Sequence, residues 1–379
     1  MSNPHQLALR CLFNPPIPLS RPLLPTLAAY QQRLQDVWAK HWLTNRGDQV
    51  CELSQVLQNR LGASHVSLFC NGSLALLLGL KALELEGEVI TTPFTFAATT
   101  HALHWAGLQP VFADISPDTL TLDPAAVEAA ITPRTSAILG VHVFGIPCHV
   151  AALADIAARH KLKVIYDAAH AFGVEIAEQP ISAFGDMSMF SLHATKLFHT
   201  AEGGLLTYKD AKLEKQLHLL QNHGISGEDT VELAGTNAKM NELQAAMGLC
   251  VLELVEEERK KRKKLVAAYA EALSAMPGVQ MVLPGVEVTP SYQYVPILFS
   301  SDAALSRDVA TARLRSLGIH ARRYFRPLLS AVCPYDALPS SIPSNLPCSR
   351  RTVENILCLP LWGGMPDNLP EVIAKAIGS

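Results

Sequence analysis

The chain has 379 residues and a formal net charge of −3, with 49% hydrophobic and 17% charged residues. This length and composition predict about two or three domains with a sizeable buried core, and they exclude an intrinsically disordered chain. The near-neutral charge gives no reason to expect nucleic acid as a partner, so small anionic ligands would have to be bound by local groups.

Eight cysteines are scattered along the chain without a C-x-x-C pair or a metal-ligand spacing. We predict that they are reduced thiols in the core of a cytoplasmic protein and that no metal is bound. The N-terminus lacks a charged region followed by an apolar one, which argues against a secretory signal. The most apolar helical stretch, Leu74 to Leu80, is too short to span a bilayer, so no membrane partner is expected.

The first predicted element is a helix, Leu27–Trp38, after an extended proline-rich segment. From His65 onward, short apolar runs alternate with helical periodicity. The predicted strands are Val66–Phe69, Glu88–Thr92, Pro110–Asp114, Ala137–Val143, Lys163–Asp167 and Met187–Ser191. The predicted helices between them are Ser73–Leu83, Phe96–Trp105, Pro124–Ala130 and Val150–His160. This alternation predicts an α/β fold with a mostly parallel, doubly wound sheet that binds ligands at the C-terminal ends of its strands.

The remainder of the chain is predicted to form a linking helix and a smaller α+β domain. The helix Leu213–Asn222 precedes the linking helix Glu242–Ala275, and the smaller domain has the helices Ala303–Leu317 and Leu369–Ile377 and the strands Tyr292–Leu298 and Leu357–Leu361. In the charge run at 256–264, glutamates precede cations by four residues, which predicts a solvated helix face. We place the division at residue 250, with the N-terminal segment and the large cofactor-binding domain in 1–250 and the remainder in 251–379.

Lys196 is the strongest candidate for chemistry. It follows the predicted strand Met187–Ser191 among apolar and small residues. Burial there would lower the pKa of the ammonium and make the amine nucleophilic enough to condense with an aldehyde cofactor. A lone lysine beside apolar residues is more often solvated, so this stretch does not assign a function by itself.

Asp167 is the second candidate, because it closes the apolar run Val164–Tyr166. A carboxylate at the end of a buried parallel strand can keep a pyridine nitrogen protonated while a lysine binds the cofactor aldehyde. Pyridoxal phosphate enzymes need this pair of groups. Without Lys196, a helix N-cap would be the better interpretation of Asp167.

The Ser-Leu-His-Ala-Thr-Lys block at 191–196, followed by Glu-Gly-Gly at 202–204, resembles the active-site motif of the DegT/DnrJ/StrS sugar-nucleotide aminotransferases. The resemblance extends from about Pro18 to about Leu361. It implies a fold-type I pyridoxal phosphate transferase with Lys196 and Asp167 as catalytic residues. Lys196 would hold pyridoxal 5′-phosphate and then move protons as a general acid and base.

The resemblance also implies the phosphate contacts of the cofactor. Asn71-Gly72-Ser73 matches the family's Asn-Gly-Thr at the start of a helix, where free backbone N–H groups favour an anion. Ser191 matches a serine that hydrogen-bonds the phosphate. As a plain N-cap, the tripeptide would need no ligand.

Two further residues match positions beside the cofactor ring. Phe96 matches the aromatic that stacks on the ring, although composition alone favours an ordinary core phenylalanine. His170 stands where relatives carry His or Gln near the ring, although a lone histidine in an alanine-rich stretch is more often structural. Asn237 matches an asparagine that binds the neighbouring subunit's cofactor phosphate, which implies a homodimer with two equal, shared sites.

Substrate contacts are implied for Thr44 and Asn45, for His193, and for Arg322 and Tyr324 in an Ala-Arg-Arg-Tyr-Phe loop. An Asx-type turn explains Thr44 and Asn45 at least as well. Two adjacent arginines are usually solvated, but in this loop either could pair with a diphosphate or with the donor carboxylate.

The motifs look most like those of members that move an amino group from L-glutamate to dTDP-4-keto-6-deoxyglucose. A member acting at the 3-position is the alternative enzyme, and a ligand-sensing protein that has lost catalysis is the alternative of another class. The chain departs from the family pattern at Leu192, His199 and Arg326, where Phe, Asn and Tyr are common. The last two departures leave the details of substrate binding open.

Overall fold

The computed structural model describes residues 12–378, which form twelve α-helices and fifteen strands. The helices are α1 (Leu27–Lys40), α2 (Asp48–Arg60), α3 (Gly72–Ala82), α4 (Ala97–Ala106), α5 (Pro124–Ala129), α6 (Val150–His160), α7 (Lys212–Gln221), α8 (Glu242–Leu252), α9 (Val255–Leu273), α10 (Arg307–Ser316), α11 (Pro347–Asn355) and α12 (Leu369–Gly378). The strands are β1 (His65–Phe69), β2 (Glu88–Thr91), β3 (Gln109–Phe112), β4 (Thr135–Val141), β5 (Lys163–Asp167), β6 (Glu175–Ile176), β7 (Gln179–Pro180), β8 (Met187–Ser191), β9 (Gly204–Tyr208), β10 (Ile225–Gly227), β11 (Thr230–Val231), β12 (Val279–Met281), β13 (Val288–Thr289), β14 (Val295–Phe299) and β15 (Ile356–Leu359).

The largest sheet has seven strands in the order β1-β9-β8-β5-β4-β2-β3. The pairs along β3-β2-β4-β5-β8 are parallel, and β9 runs antiparallel to both of its neighbours. This confirms the predicted mostly parallel sheet. The C-terminal ends of β1, β5 and β8 therefore lie at one edge of the sheet, which is where ligands bind in folds of this type.

Both faces of this sheet are buried. Along β5, Val164 and Tyr166 pack in one apolar cluster with α2 and α6, whereas Ile165 packs in a second cluster with α3 and α4. Alternate side chains of a strand point to opposite faces, so a strand that is buried on both faces reads as a continuous apolar run. This explains why the strands and helices from Val66 to His160 lie within two residues of their predicted bounds.

A third apolar cluster lies in the C-terminal part of the chain. The antiparallel sheet β12-β14-β15 packs there with α9, α10 and α12. Ile17 joins the same cluster and pairs with Ile319, so the N-terminal segment reaches the C-terminal part of the chain. The domain division at residue 250 stays a prediction.

The predicted single helix over Glu242–Ala275 is wrong, because α8 ends at Leu252 and α9 begins at Val255. Leu254 keeps helical φ and ψ values, and its N–H donates to Val251 O at 2.9 Å, which tightens the turn. The turn lets α8 pack in the first cluster and α9 in the third. The periodicity of a sequence does not reveal such a tightened turn.

The charge run is solvated only in part. Lys260, Lys261 and Lys263 are exposed, but Glu258 and Arg262 are buried. Arg262 Nε donates to Glu258 Oε1 at 2.6 Å, and the N–H of Gly363 reaches the same oxygen at 2.8 Å. A solvated face was therefore the wrong prediction for these two residues, whose charges are neutralised by each other inside the protein.

Two predicted boundaries in the C-terminal part are also wrong. Helix α10 begins at Arg307 rather than at Ala303, because Ser306 Oγ accepts from Val309 N–H and caps it there. Strand β14 begins at Val295 rather than at Tyr292, because residues 290–294 make contacts outside the sheet.

The cysteines only partly match the prediction of core thiols. All seven described cysteines are free, but Cys51 and Cys333 are exposed, and Cys11 lies outside the described residues. None of the helices in residues 12–378 combines the length and the apolar character that a membrane span requires. In the same residues, no cluster of His, Cys, Asp or Glu is arranged to hold a metal ion.

Candidate active site

The candidate site lies at the edge of the sheet where β5 and β8 end. Asp167 is the last residue of β5, and Ser191 is the last residue of β8. Lys196 follows in the irregular loop 192–203, which joins β8 to β9. The two parallel strands therefore deliver the carboxylate and the lysine to the same place.

Lys196 is a partly buried amine with an unusually low pKa. Burial lowers the pKa of Lys196 from 10.5 to about 8, although the nearby Asp167 carboxylate opposes the shift. At pH 7, roughly a tenth of the side chain is therefore the neutral amine, far more than for an ordinary lysine. That form can attack a carbonyl carbon, which the ammonium cannot do.

The Asp167 carboxylate is buried and held at both oxygens. Thr99 Oγ1 donates to Oδ2 at 2.7 Å, and the N–H of Ala169 donates to Oδ1 at 3.0 Å. Burial raises the pKa of Asp167, and these two hydrogen bonds and Lys196 act against that rise. Residues 168–174 form turns instead of a helix, so Asp167 is not a helix N-cap.

His170 is a buried neutral imidazole beside this pair. Its Nδ1 accepts from the N–H of Phe144 at 3.1 Å. Burial, with a smaller contribution from Lys196, lowers the pKa of His170 well below its usual value. The ring also contacts Tyr294 edge-on, with centroids 5.0 Å apart. It can offer a hydrogen bond or an apolar face, but not a positive charge.

The start of α3 lies beside the end of β8. A Cβ added to Gly72 would lie 3.2 Å from Ser191 Cβ, so glycine at this position lets the start of α3 approach the end of β8 closely. The Asn71 side chain accepts from Leu74 N–H at 2.8 Å, which leaves the N–H groups of Gly72 and Ser73 without intrahelical partners. These two N–H groups and the Ser191 hydroxyl suit an anion.

Phe96 directly precedes α4, and His193 lies in the lysine loop after β8. Phe96 is 62% exposed, which contradicts a core role, and it precedes the helical turn that carries Thr99. His193 turns back on its own loop, because its Nδ1 accepts from Thr195 N–H at 3.2 Å. An exposed phenylalanine at this edge is free to stack on a ligand.

A series of aromatic contacts connects His170 with Arg322. Tyr294 contacts Tyr324 with centroids 5.7 Å apart, and Arg322 Cζ lies 5.9 Å from the Tyr324 ring. Arg322 and Tyr324 line a cleft of about 630 Å³ together with Arg315, His320, Arg323 and Arg326. Arg323 and Arg326 pair with Asp308 and Glu354 at 3.1 and 3.4 Å. The cleft therefore presents positive charge to an anionic ligand.

Asn237 is exposed at the other end of the site. The N–H of Cys70 donates to Ala238 O at 2.8 Å, which brings Asn237 close in space to the start of α3.

Thr44 and Asn45 lie on an exposed loop that α8 holds in place. The carboxylate of Glu242 accepts from Gln49 N–H at 2.8 Å and from Val50 N–H at 3.3 Å, which caps α2. Asn45 lies in the bend before this helix with a φ of 62°, so the turn at Thr44 and Asn45 stays the alternative prediction. Burial raises the pKa of Glu242.

His199 has a structural position in the lysine loop. Its Nε2–H donates to Leu23 O at 2.8 Å, and its Nδ1 accepts from Ala201 N–H at 3.1 Å. His199, which stands where Asn is common in the family, therefore links the lysine loop to the N-terminal segment.

Our sequence reasoning missed Thr99, which orients the Asp167 carboxylate, and Gln293, whose side chain bonds the lysine loop on both sides of Lys196. Nothing in the run Ala97-Ala98-Thr99-Thr100 distinguishes the first threonine from the second. Only the packing of α4 against β5 brings Thr99 to the carboxylate.

A lysine of lowered pKa, a buried carboxylate and a helix start with free N–H groups thus meet at this edge of the sheet. Residues 27–377 match the model of the DegT/DnrJ/EryC1/StrS aminotransferase family. The chain belongs to this family and is a transaminase. Its predicted resemblance to the family is confirmed.

The relatives cover almost the whole chain. Over 362 residues the chain is 40% identical to dTDP-4-amino-4,6-dideoxy-D-glucose transaminase of Escherichia coli, covering 95% of this chain and 98% of that protein. It is 32% identical to GDP-perosamine synthase of Caulobacter vibrioides, covering 88% of this chain and 90% of that protein. The crystal structure of DesI in the presence of its TDP-sugar product matches with a TM-score of 0.91 at 37% identity, covering 97% and 93%. This likeness confirms the predicted fold class.

Proposed function

We propose that the protein transfers the amino group of L-glutamate to dTDP-4-keto-6-deoxyglucose, giving dTDP-4-amino-4,6-dideoxyglucose. The observation that carries this proposal is the Lys196–Asp167 pair in a chain 40% identical to a transaminase named for that product. A relative that is 31% identical is a spore coat polysaccharide biosynthesis protein of Bacillus subtilis. A cytoplasmic role in supplying aminosugars for surface polysaccharide fits these relatives.

The residues of the site fit pyridoxal 5′-phosphate. The free N–H groups at the start of α3 lie beside the Ser191 side chain, and together these donors suit the phosphate. Asp167 would pair with the ring nitrogen and Lys196 with the aldehyde, while Phe96 would cover the ring. When bound, the cofactor supplies an electron sink for the carbanion that amino transfer requires.

In this proposal, Lys196 is the general acid and base that moves a proton during amino transfer. A pKa of about 8 keeps both the amine and the ammonium populated near neutral pH, as a group that takes up and returns a proton requires. Asp167 holds the positive charge of the ring nitrogen, and Thr99 orients the carboxylate by its 2.7 Å hydrogen bond. His170, which stays neutral, adds no competing charge.

The basic cleft would hold the sugar nucleotide. Arg322 lies over Tyr324 and, unlike Arg323 and Arg326, forms none of the salt bridges found in residues 12–378. A guanidinium with free N–H groups can bind a diphosphate in a bidentate manner. We assign Thr44, Asn45 and His193 to substrate binding on the family resemblance alone.

An absorbance spectrum of the purified protein tests both half-reactions. We expect a visible cofactor band that bleaches with L-glutamate and returns with dTDP-4-keto-6-deoxyglucose. Lys196→Ala should lose this band and all turnover, because no other group of the site can take its place. Lys215→Ala, which removes an exposed lysine paired with Glu232, serves as the matched control and should behave as the wild type.

Other outcomes separate the alternatives. A band that bleaches but does not return would retain the transaminase chemistry and reject the sugar, and 3-keto sugars would be tested next. Absence of a band with added cofactor would favour the ligand-sensing alternative. Normal turnover by Lys196→Ala would refute the assignment of the lysine.

Substitution of Asn237 tests the proposed homodimer. Asn237→Ala should retain the cofactor less tightly. If Asn237 serves the partner's site, mixing the inactive Lys196→Ala chain with the weakened Asn237→Ala chain restores one intact site per mixed dimer. If Asn237 serves its own site, mixing restores no site, and a fully active monomer would contradict the shared site altogether.

A further inference from the structure

The peptide groups around Lys196 need partners from outside their own loop. Lys196 lies in neither a helix nor a strand, so no regular ladder bonds its neighbours. Within the loop, Lys196 N–H donates to His193 O at 2.9 Å, and Ala194 N–H donates to Ala201 O at 2.8 Å. The carbonyl of residue 195 and the N–H of residue 197 face inward, where an unpaired backbone group would be costly.

Gln293 supplies both of these partners. Its Oε1 accepts from Leu197 N–H at 2.7 Å, and its Nε2 donates to Thr195 O at 3.0 Å. A backbone N–H can only donate and a backbone carbonyl can only accept, so these partners fix which end of the side-chain amide is oxygen. Gln293 is 2% exposed, so water does not compete for these bonds. One side chain thus holds the peptide on each side of the lysine.

Gln293 is itself held by its surroundings. The anchor segment, which we define as residues 290–294, joins α9 to the lysine loop. Arg259 Nε donates to Pro290 O at 3.0 Å, and Arg262 Nη1 reaches Tyr292 O at 3.4 Å. Ser291 Oγ donates to His170 O at 2.8 Å. These bonds prevent the anchor segment from joining β14 and turn the Gln293 side chain toward Lys196.

We propose that Gln293 is a positioning residue that holds the Lys196 backbone so that the amine stays buried and faces Asp167. This inference rests on the proposed function of Lys196 as the group that moves the proton. The ionisable groups that face the amine are Asp167 and His170. Neither of them fixes the course of the loop, whereas Gln293 holds the loop at residues 195 and 197.

The test replaces Gln293 by methionine, which has a similar length and no amide. We expect kcat to fall about 100-fold, because a displacement of about 1 Å of a catalytic group has an effect of this size. The KM for the sugar nucleotide should change less than about threefold, because Gln293 is not among the residues that line the basic cleft. Gln216→Met is the control, since Gln216 lies on α7 and, within residues 12–378, its side chain bonds only to Glu84, at 3.1 Å.

A second measurement follows Lys196 without turnover. Reductive methylation of the cofactor-free full chain at a series of pH values, read by peptide mapping, gives the pH midpoint for labelling of Lys196. In the wild type and in Gln216→Met, the midpoint should lie near 8, where burial places the pKa of Lys196. In Gln293→Met, the loosened loop should admit water and move the midpoint toward that of an ordinary lysine.

An unchanged midpoint together with an unchanged kcat in Gln293→Met would overturn the proposal. If that variant does not fold, Gln293→Asn takes its place, because its shorter amide cannot reach both peptides and the same two results are required. A wild type without transaminase activity would refute the proposed function, and the labelling midpoints would still decide whether Gln293 positions Lys196.

Discussion

Removing the Thr99 hydroxyl should weaken the site more than its small size suggests. Thr99 Oγ1 gives its proton to Asp167 Oδ2 at 2.7 Å, so its 2.8 Å contact with Thr95 must be donated by Thr95. Valine has nearly the same shape but cannot donate. Thr99→Val therefore leaves the buried Asp167 carboxylate with one hydrogen bond fewer at unchanged packing.

The size of the effect follows from the charge on the acceptor. A hydrogen bond to a charged group contributes about 1.5–3 kcal/mol. Since about 1.4 kcal/mol corresponds to a factor of ten, kcat/KM should fall about 10- to 100-fold. The carboxylate must be ionised to hold a protonated ring nitrogen. Burial already raises the pKa of Asp167, and loss of the donor raises that pKa further.

The assay is the pH profile of kcat/KM for amino transfer in the wild type and in Thr99→Val. The acid limb of the profile should move to higher pH in the variant. Thr100→Val is the matched control, because the Thr100 hydroxyl is equally buried and has no hydrogen-bond partner within residues 12–378. Its activity should stay within about twofold of the wild type, and its stability should be equal or greater.

An acid limb that stays in place in Thr99→Val would refute this reasoning. A shift of equal size in Thr100→Val would do the same, because it would point to a general effect on α4. A shift to lower pH would mean that the threonine stabilises the neutral acid instead of the carboxylate.

Two further predictions concern stability. Burial lowers the pKa of His142 from 6.5 to about 3, so its contribution to the free energy of unfolding is present above pH 6.5 and is lost as the pH falls toward 3. His142→Asn keeps an acceptor for Cys148 N–H but does not titrate. Urea titrations at several pH values should therefore show that the free energy of unfolding falls less steeply with decreasing pH, by about 1.4 kcal/mol per pH unit. An unchanged slope of that free energy against pH would contradict this prediction. Asp114 accepts from the N–H groups of Cys348 and Ser349 at 2.7 and 2.8 Å and caps α11. Asp114→Ala should lower the free energy of unfolding by about 1–2 kcal/mol, and equal urea midpoints would show that the cap contributes nothing.

The sequence alone determined six of the seven strands of the large sheet and the two residues at its edge, but it did not predict β9. Strands buried on both faces read as continuous apolar runs, so β5 and β8 have the bounds that the pattern predicts. Parallel strands align their C-terminal ends, so Asp167 and the lysine loop after Ser191 had to meet at one edge. The family motif then restricted the chemistry further than periodicity could.

Local patterns failed where burial contradicts composition. Glu258 and Arg262 lie in a charge run that any sequence rule assigns to solvent, yet they pair with each other inside the protein. Phe96 shows the opposite case, because an apolar residue lies exposed at the ligand edge. Both positions depend on which neighbours the fold brings near, and periodicity reports only the face of an element.

Only the tertiary structure decided how Lys196 and Asp167, the two residues that we propose to be catalytic, are supported. The Thr99 hydroxyl that holds Asp167 comes from 68 residues away in the chain, and the Gln293 amide that brackets Lys196 comes from 96 and 98 residues away from its partners. A hydrogen bond requires atoms within about 3 Å and a suitable angle, and it leaves no periodic trace in the sequence. Sequence patterns can therefore place a catalytic group on its element, whereas packing selects the polar groups that hold it in position.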